Sequence, residues 1–276
     1  MPTYKRGRHE HGQNFLNNKT IQTAVIDRVK ATTGPIIEIG PGAGALTNHL
    51  STLDRPLTAV EIDGSLARRL KQHLHPGAEV VHGDFLHYRL PETPFVLVGN
   101  LPFHQTTAML RHILHAPGWT HAVLIVQWEV ARRRAGIGGA TMMTALWWPW
   151  FDFELEQRVP AHSFTPTPSV DGGLLTITRR TRPLLPRQER KAFQSMVYKV
   201  FTGRGRGTVQ IASRMKLFND PRQARKWALD SGLKHTALPK DLSAHHWVDL
   251  YRVSGSAPPK RRHKQSPEAA NGRNGC

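Results

Sequence analysis

The 276-residue chain has a single cysteine, Cys276, at its last position. No internal disulfide can form, which excludes cross-linked secreted folds and points to a reducing compartment. A long hydrophobic run is also missing. The nearest is TMMTALWWPWF at 141–151, which is short and carries a proline, so no membrane span is expected. The opening MPTYKRGRHEHG has no apolar stretch and does not read as a secretory signal. These absences predict a cytoplasmic protein with no membrane partner. Acidic residues are scarce: 20 Asp+Glu stand against 38 Lys+Arg, a formal net charge of +18. Such a field draws polyanions, and nucleic acid is the leading partner. The basic residues are not confined to one terminus. The 16 histidines show no metal-ligand spacing with cysteine or carboxylates, so no metal is expected. No serine or cysteine triad is suggested.

What is present is a repeating pattern. Residues 1–17 read as a basic N-terminal arm. In 18–31, Ile21, Val25, Ile26 and Val29 recur at helical spacing, and Asn17 or Asn18 can cap a helix starting at Lys19. PIIEI, PLTAVEI, AEVVHGDF, PFVLVGN and HAVLIVQ then read as strands, with helices such as GSLARRLKQHL and TTAMLRHILH between them. FELEQRVP and GGLLTITRR follow as later strands, separated by the proline-rich AHSFTPTPSVD. The alternation predicts an α/β fold: a parallel sheet with helices on both faces. From about Arg187 the chain turns helical and basic. We place a catalytic domain at 18–182, a small helical RNA-binding domain at 183–253 and a disordered basic tail at 254–276.

Glu38-Ile39-Gly40-Pro41-Gly42-Ala43-Gly44 lies between the first of these strands and a helix. Gly40, Gly42 and Gly44 let the backbone turn tightly and approach a ligand. Alone, such a loop also suits a dinucleotide. Glu61, followed by Ile62, ends the next strand about 20 residues on, where a carboxylate accepts ribose hydroxyls. Asp84 ends the third strand and can accept from an adenine amino group, with Phe85 packing on the ring. Asn100 ends the fourth. Ligands of open α/β sheets sit at these strand ends. Glu38 puts negative charge where a pyrophosphate fits poorly and a sulfonium fits well. That favours S-adenosylmethionine over a dinucleotide.

Asn100-Leu101-Pro102-Phe103 resembles the Asn-Ile/Leu-Pro-Phe/Tyr motif of N6-adenine methyltransferases. An aromatic amine is a poor nucleophile because its lone pair is delocalised. The Asn100 side-chain oxygen and the Leu101 carbonyl can accept its two N–H bonds and direct the lone pair at a methyl group. The work is positioning and electrostatics, without a strong base. Pro102 stiffens the turn, and Phe103 stacks on an extruded base.

With His11-Gly12-Gln13-Asn14-Phe15-Leu16 and Phe164-Thr165-Pro166-Thr167-Pro168-Ser169-Val170-Asp171, these motifs resemble the erythromycin-resistance rRNA methyltransferases, the Erm family, over about residues 8–255. The resemblance implies a Rossmann-like class I methyltransferase domain followed by an all-helical C-terminal domain. It implies Asn14 and Leu16 as cofactor contacts and Phe15 as a second wall of the base pocket. It also implies a 23S rRNA adenine as substrate, reached by a monomer before the ribosome is fully assembled, and resistance to macrolides, lincosamides and streptogramin B. The relative that dimethylates two adjacent adenines of 16S rRNA shares nearly all these motifs. A small-molecule N-methyltransferase and a non-catalytic RNA-binding factor are the remaining alternatives. The chain departs from the family at Phe103, where many relatives have Tyr, and at the Gly- and Arg-rich 201–207 segment.

Arg132, Arg133 and Arg134 follow the fifth strand and are expected to hold RNA phosphates, as are Arg204 and Arg206 in the 201–207 loop. The Trp147-Trp148-Pro149-Trp150 cluster reads as core more than as a base-stacking platform.

Overall fold

The computed structural model describes residues 14–74, 77–218 and 220–254. His11 to Gln13, most of the basic arm and nearly all of the expected tail lie outside the described residues.

Strand β1 (Phe15–Leu16) is followed by α1 (Lys19–Lys30), capped by Asn18, whose Oδ1 accepts from the Ile21 N–H at 3.2 Å. Five units then follow in order: β2 (Ile36–Ile39), α2 (Thr47–Leu50), β3 (Leu57–Glu61), α3 (Gly64–His73), β4 (Ala78–His82), β5 (Phe95–Asn100), α4 (Thr106–His115), β6 (Trp119–Gln127) and α5 (Trp128–Arg134). The short helix α6 (Met142–Trp147), the strands β7 (Phe151–Val159), β8 (Phe164–Thr165) and β9 (Gly172–Arg179), and helices α7 (Arg190–Thr202), α8 (Thr208–Arg214), α9 (Pro221–Asp230) and α10 (Ala244–Val253) complete the chain.

The main sheet has the order β4-β3-β2-β5-β6-β9-β7. The first five strands are mutually parallel. The sheet is not parallel throughout, as the strand-helix alternation predicts: β9 runs antiparallel to both β6 and β7. The reason is the connection. Parallel neighbours need a helical crossover, whereas the proline-bearing link from β7 to β9 holds no α-helix and returns the chain directly.

Alternate residues of each central strand face opposite sides. Val98, Val123 and Ile125 pack with Ile21, Val25 and Val29 of α1. Leu97, Leu124 and Val126 pack with Leu110, Ile113 and Leu114 of α4. Helices therefore cover both faces. The α4-side core runs without a break into Phe193 and Val197 of α7 and Trp247 and Tyr251 of α10. Trp147 and Trp150 are buried in it, as expected, with the Trp150 Nε1–H donating to the Leu185 carbonyl. Among the described residues no helix is long and apolar enough to cross a membrane.

Candidate active site

The carboxyl ends of β2, β3 and β5 and the loop after β4 open into one pocket of about 1050 Å³, part of it open solvent. That is the place predicted for ligands of an open α/β sheet. It brings together Asn14, Phe15, Leu16, Glu38, Gly40, Gly42, Glu61, Ile62, Asp84, Phe85, Asn100, Leu101, Pro102 and Phe103.

Glu38 and Glu61 lie on adjacent strands, and both are almost completely buried. Glu61 accepts from the Gly42 N–H at 2.8 Å and, through its other oxygen, from the Asp63 N–H at 2.9 Å. The glycine-rich loop is thus tied to the second strand by the carboxylate the sequence singles out. Glu38 keeps one buried oxygen, Oε2, without a hydrogen-bond partner among the described residues. Burial pushes its pKa up to about 8; the Thr47 hydroxyl opposes this and the Glu61 charge adds to it. A buried acid that lines a pocket with one oxygen unpartnered suits a cationic ligand. Asp84 turns its loop by accepting from the Leu86 N–H at 2.9 Å, with His87 Nδ1 3.2 Å from its other oxygen.

Gly42 has φ +58, and a Cβ there would stand 2.9 Å from the Phe15 ring. The loop can lie under Phe15 only as glycine. Gly44 departs from its expected role. It does not line the pocket; its φ is +90 and a Cβ would meet Leu70 at 3.0 Å, so its smallness serves the packing of α3 behind the loop.

The opposite wall depends on the N-terminal arm. The Asn100 side-chain amide donates to the Asn14 carbonyl at 2.7 Å. A carbonyl only accepts, so this bond fixes which end of the amide is which and turns Oδ1 away from the arm. The next peptide is held by the Leu101 N–H, which donates to the Ile125 carbonyl at 3.0 Å. The arm itself is clamped by the proline-rich segment. Phe15 pairs with Thr165 and Leu16 with Phe164, and the Asn17 N–H donates to the Ser163 carbonyl at 2.9 Å. Phe164 is buried and meets Phe103 edge-on, with ring centroids 6.0 Å apart. Asp171 anchors the far end of that segment by accepting from the Ala161 N–H at 2.7 Å and from Arg158 at 2.6 Å. The Ala161 bond and the Arg158 charge hold its pKa below the usual carboxylate range.

Gln105 and Met109 also line the pocket, and sequence reasoning missed both. Met109 shares the buried face of α4 with Leu110 and Ile113, a helical spacing that could have flagged it. Phe164 was legible only as part of a motif.

The basic residues divide. Arg133 is exposed beside Glu129, with Arg132 half-buried on the same carboxylate. Arg134 corrects the expectation for the triplet: it is 7% exposed and bonds the Thr141 hydroxyl, so it is not available to RNA. Burial and nearby Arg111 lower its pKa to about 10. Arg204 and Arg206 are exposed in the loop between α7 and α8.

A mixed sheet of this order, with a glycine-rich loop after β2, buried acids at the ends of β2 and β3 and Asn-Leu-Pro-Phe after β5, defines a Rossmann-like methyltransferase. The Ribosomal RNA adenine dimethylase family matches residues 4–254, and the chain belongs to that family. It is 59% identical over 220 residues to an rRNA adenine N-6-methyltransferase of Corynebacterium diphtheriae, covering 79% of this chain and 87% of that protein. It is 45% identical over 248 residues to the mycinamicin-resistance protein MyrB of Micromonospora griseorubida, covering 90% and 79%. The crystal structure of the 23S rRNA methyltransferase ErmE superposes with a TM-score of 0.79 at 31% identity, over 87% of this chain and 99% of that one.

Proposed function

We propose that the protein transfers methyl from S-adenosylmethionine to the N6 amine of one adenine in 23S rRNA and so confers resistance to macrolide, lincosamide and streptogramin B antibiotics. The observation that supports this reading is the Asn100–Asn14 bond, which holds the side-chain amide by its nitrogen and leaves its oxygen as the end not bonded to the arm, in a pocket whose other wall is the glycine-rich loop. The names of the relatives, which include a 23S rRNA methyltransferase and a mycinamicin-resistance protein, support the substrate and the consequence.

S-adenosylmethionine supplies, when bound, a methyl group on a positively charged sulfur. The pocket fits it: Glu38 is an unsatisfied buried carboxylate suited to a cation, and Glu61 is pinned at the strand end where ribose hydroxyls are held. Asp84 accepts from the adenine amino group, and Ile62, Phe85 and Leu16 enclose the apolar parts. Gly40 and Gly42 let the backbone come close. For the target base, Asn100 Oδ1 and the Leu101 carbonyl accept the two amine protons and hold the lone pair in line with the donor. Phe103 and Phe15 stack on the flipped ring, Phe103 buttressed by Phe164. No side chain acts as a strong base, and the rate comes from position and fixed dipoles.

Residues 18–182 hold donor and base. Arg132, Arg133, Arg204 and Arg206 draw in phosphates, with residues 183–253 completing the RNA grip. The enzyme acts as a cytoplasmic monomer on RNA not yet fully assembled into the ribosome. The test is methylation of protein-free rRNA followed by primer extension. A stop in 23S rRNA is expected, and a stop confined to 16S rRNA would overturn the choice of substrate.

A further inference from the structure

We propose that the segment after β9 forms a second RNA-contacting face at the end of the sheet opposite the catalytic pocket, gripping the phosphate backbone of rRNA distant from the target adenine. The inference rests on the rRNA reading above and deepens it: within and just before the helical segment that reading assigns to RNA as a whole, it picks out one face and the part of the rRNA that face meets.

The placement follows from register. Asn100 pairs with Ile125, and Ile125 with Leu174. Arg179 lies five residues further along β9, about 17 Å away at the rise of a strand, beside Phe151 at the start of β7. From Arg179 to Lys191 the chain carries Arg179, Arg180, Arg182, Arg187, Arg190 and Lys191 against one acid, Glu189. Glu189 is in no ion pair with them among the described residues. It sits beside the Tyr251 hydroxyl, whose pKa is pushed up to about 12 by burial and by that carboxylate.

The cluster has a fixed base and free tips. Arg179 donates to the Trp119 and Ala116 carbonyls at 2.7 and 2.9 Å, and its guanidinium lies 4.9 Å from the centroids of the stacked Trp119 and Phe151 rings. Arg190 lies over Trp147 at 5.2 Å, next to His115 at the end of α4. Arg182, Arg187 and Lys191 are exposed. Among the described residues, none of the ion pairs involves Arg182, Arg187, Arg190 or Lys191. Burial, and then the charges of Arg187 and Arg190, lower the Arg179 pKa to about 10. Arg180 is paired with Asp152; the other like charges, crowded on a rigid aromatic base and in no ion pair among the described residues, are relieved by a polyanion. A row of phosphates fits, because such contacts position RNA without reading its sequence.

The test uses the full chain carrying R182E, R187E and K191E, with the three Gln replacements as a second, milder variant. Two probes are compared: a long 23S rRNA fragment and the minimal stem-loop around the mapped adenine. For the fragment we expect affinity to fall at least tenfold near 0.1 M salt and the slope of log K against log salt to drop by about three. Stem-loop affinity and S-adenosylmethionine binding should stay as in the wild type. An unchanged slope with the fragment, or an equal loss with both RNAs, would overturn the distal face. Failure of the wild type to methylate either RNA would instead overturn the rRNA reading itself.

Discussion

Asn100 and Glu38 show how much single atoms carry. Asn100→Ala removes the bond to Asn14 and the acceptor for the target amine together. Its methyl-transfer rate constant should fall by about 10²–10³ or more, as for loss of one preorganised polar contact in a transition state. RNA affinity, set mainly by phosphate contacts, should remain near wild type in filter binding. Retained turnover would remove Asn100 from its assigned role. Glu38 titrates near pH 8 in the unliganded protein because it is buried beside Glu61. A cationic donor prefers the ionised form, so donor affinity measured by calorimetry should rise as the pH climbs through about 8, with a proton released on binding. Glu38→Gln should flatten that profile. The sign for stability is opposite. The native state holds a proton that the unfolded chain gives up above 4.5, so stability falls as pH rises from 4.5 and the contribution is fully lost once pH passes about 8. The unliganded Gln variant should therefore melt higher than wild type at alkaline pH.

The pocket is made where short elements meet, and there the expected consequences are steric. At Gly42 an Ala methyl would collide with Phe15 in a backbone conformation that L residues rarely adopt. Gly42→Ala should shift Phe15 and weaken donor binding about tenfold or more, with far less effect on RNA affinity. Asp171→Asn should loosen the proline-rich clamp on β1 and lower the melting temperature by a few degrees, the loss narrowing as acid protonates the wild-type carboxylate. The buried strands β2, β5 and β6 were legible because short apolar runs closed by glycine, asparagine or glutamine leave few other readings. The direction of β9 was not, since it depends on the length and content of a connection. The β1–β8 pairing was not either: a two-residue strand has no period, and its partner lies 148 positions away at the Asn17–Thr165 contact. Glu38, Glu61, Asp84 and Asn100 could be placed because each lies at, or within two residues of, the carboxyl end of a strand. Gly44 could not be separated from its neighbours, because pocket and packing glycines look alike in sequence.

Over the whole molecule, the +18 charge sets how the enzyme meets its substrate. The arginines after β6 show that charge count and charge use differ. A run of three reads as a solvated face, yet helical spacing puts Arg134 three residues from the buried Ala131, and it turns inward to Thr141. Arg133, one position earlier, stays exposed. Two substitutions therefore separate electrostatic from structural effects. Arg133→Glu should weaken rRNA binding and lower the salt slope by about one, the share of a single phosphate contact, without moving the melting temperature. Arg134→Ala should do the reverse: the salt slope stays unchanged while thermal stability falls, because Thr141 loses a buried partner and a cavity opens under α5. Binding isotherms at several salt concentrations, paired with melting curves, read both quantities on the same protein. If Arg134→Ala flattened the slope as much as Arg133→Glu, that guanidinium would have to leave its buried site to reach RNA.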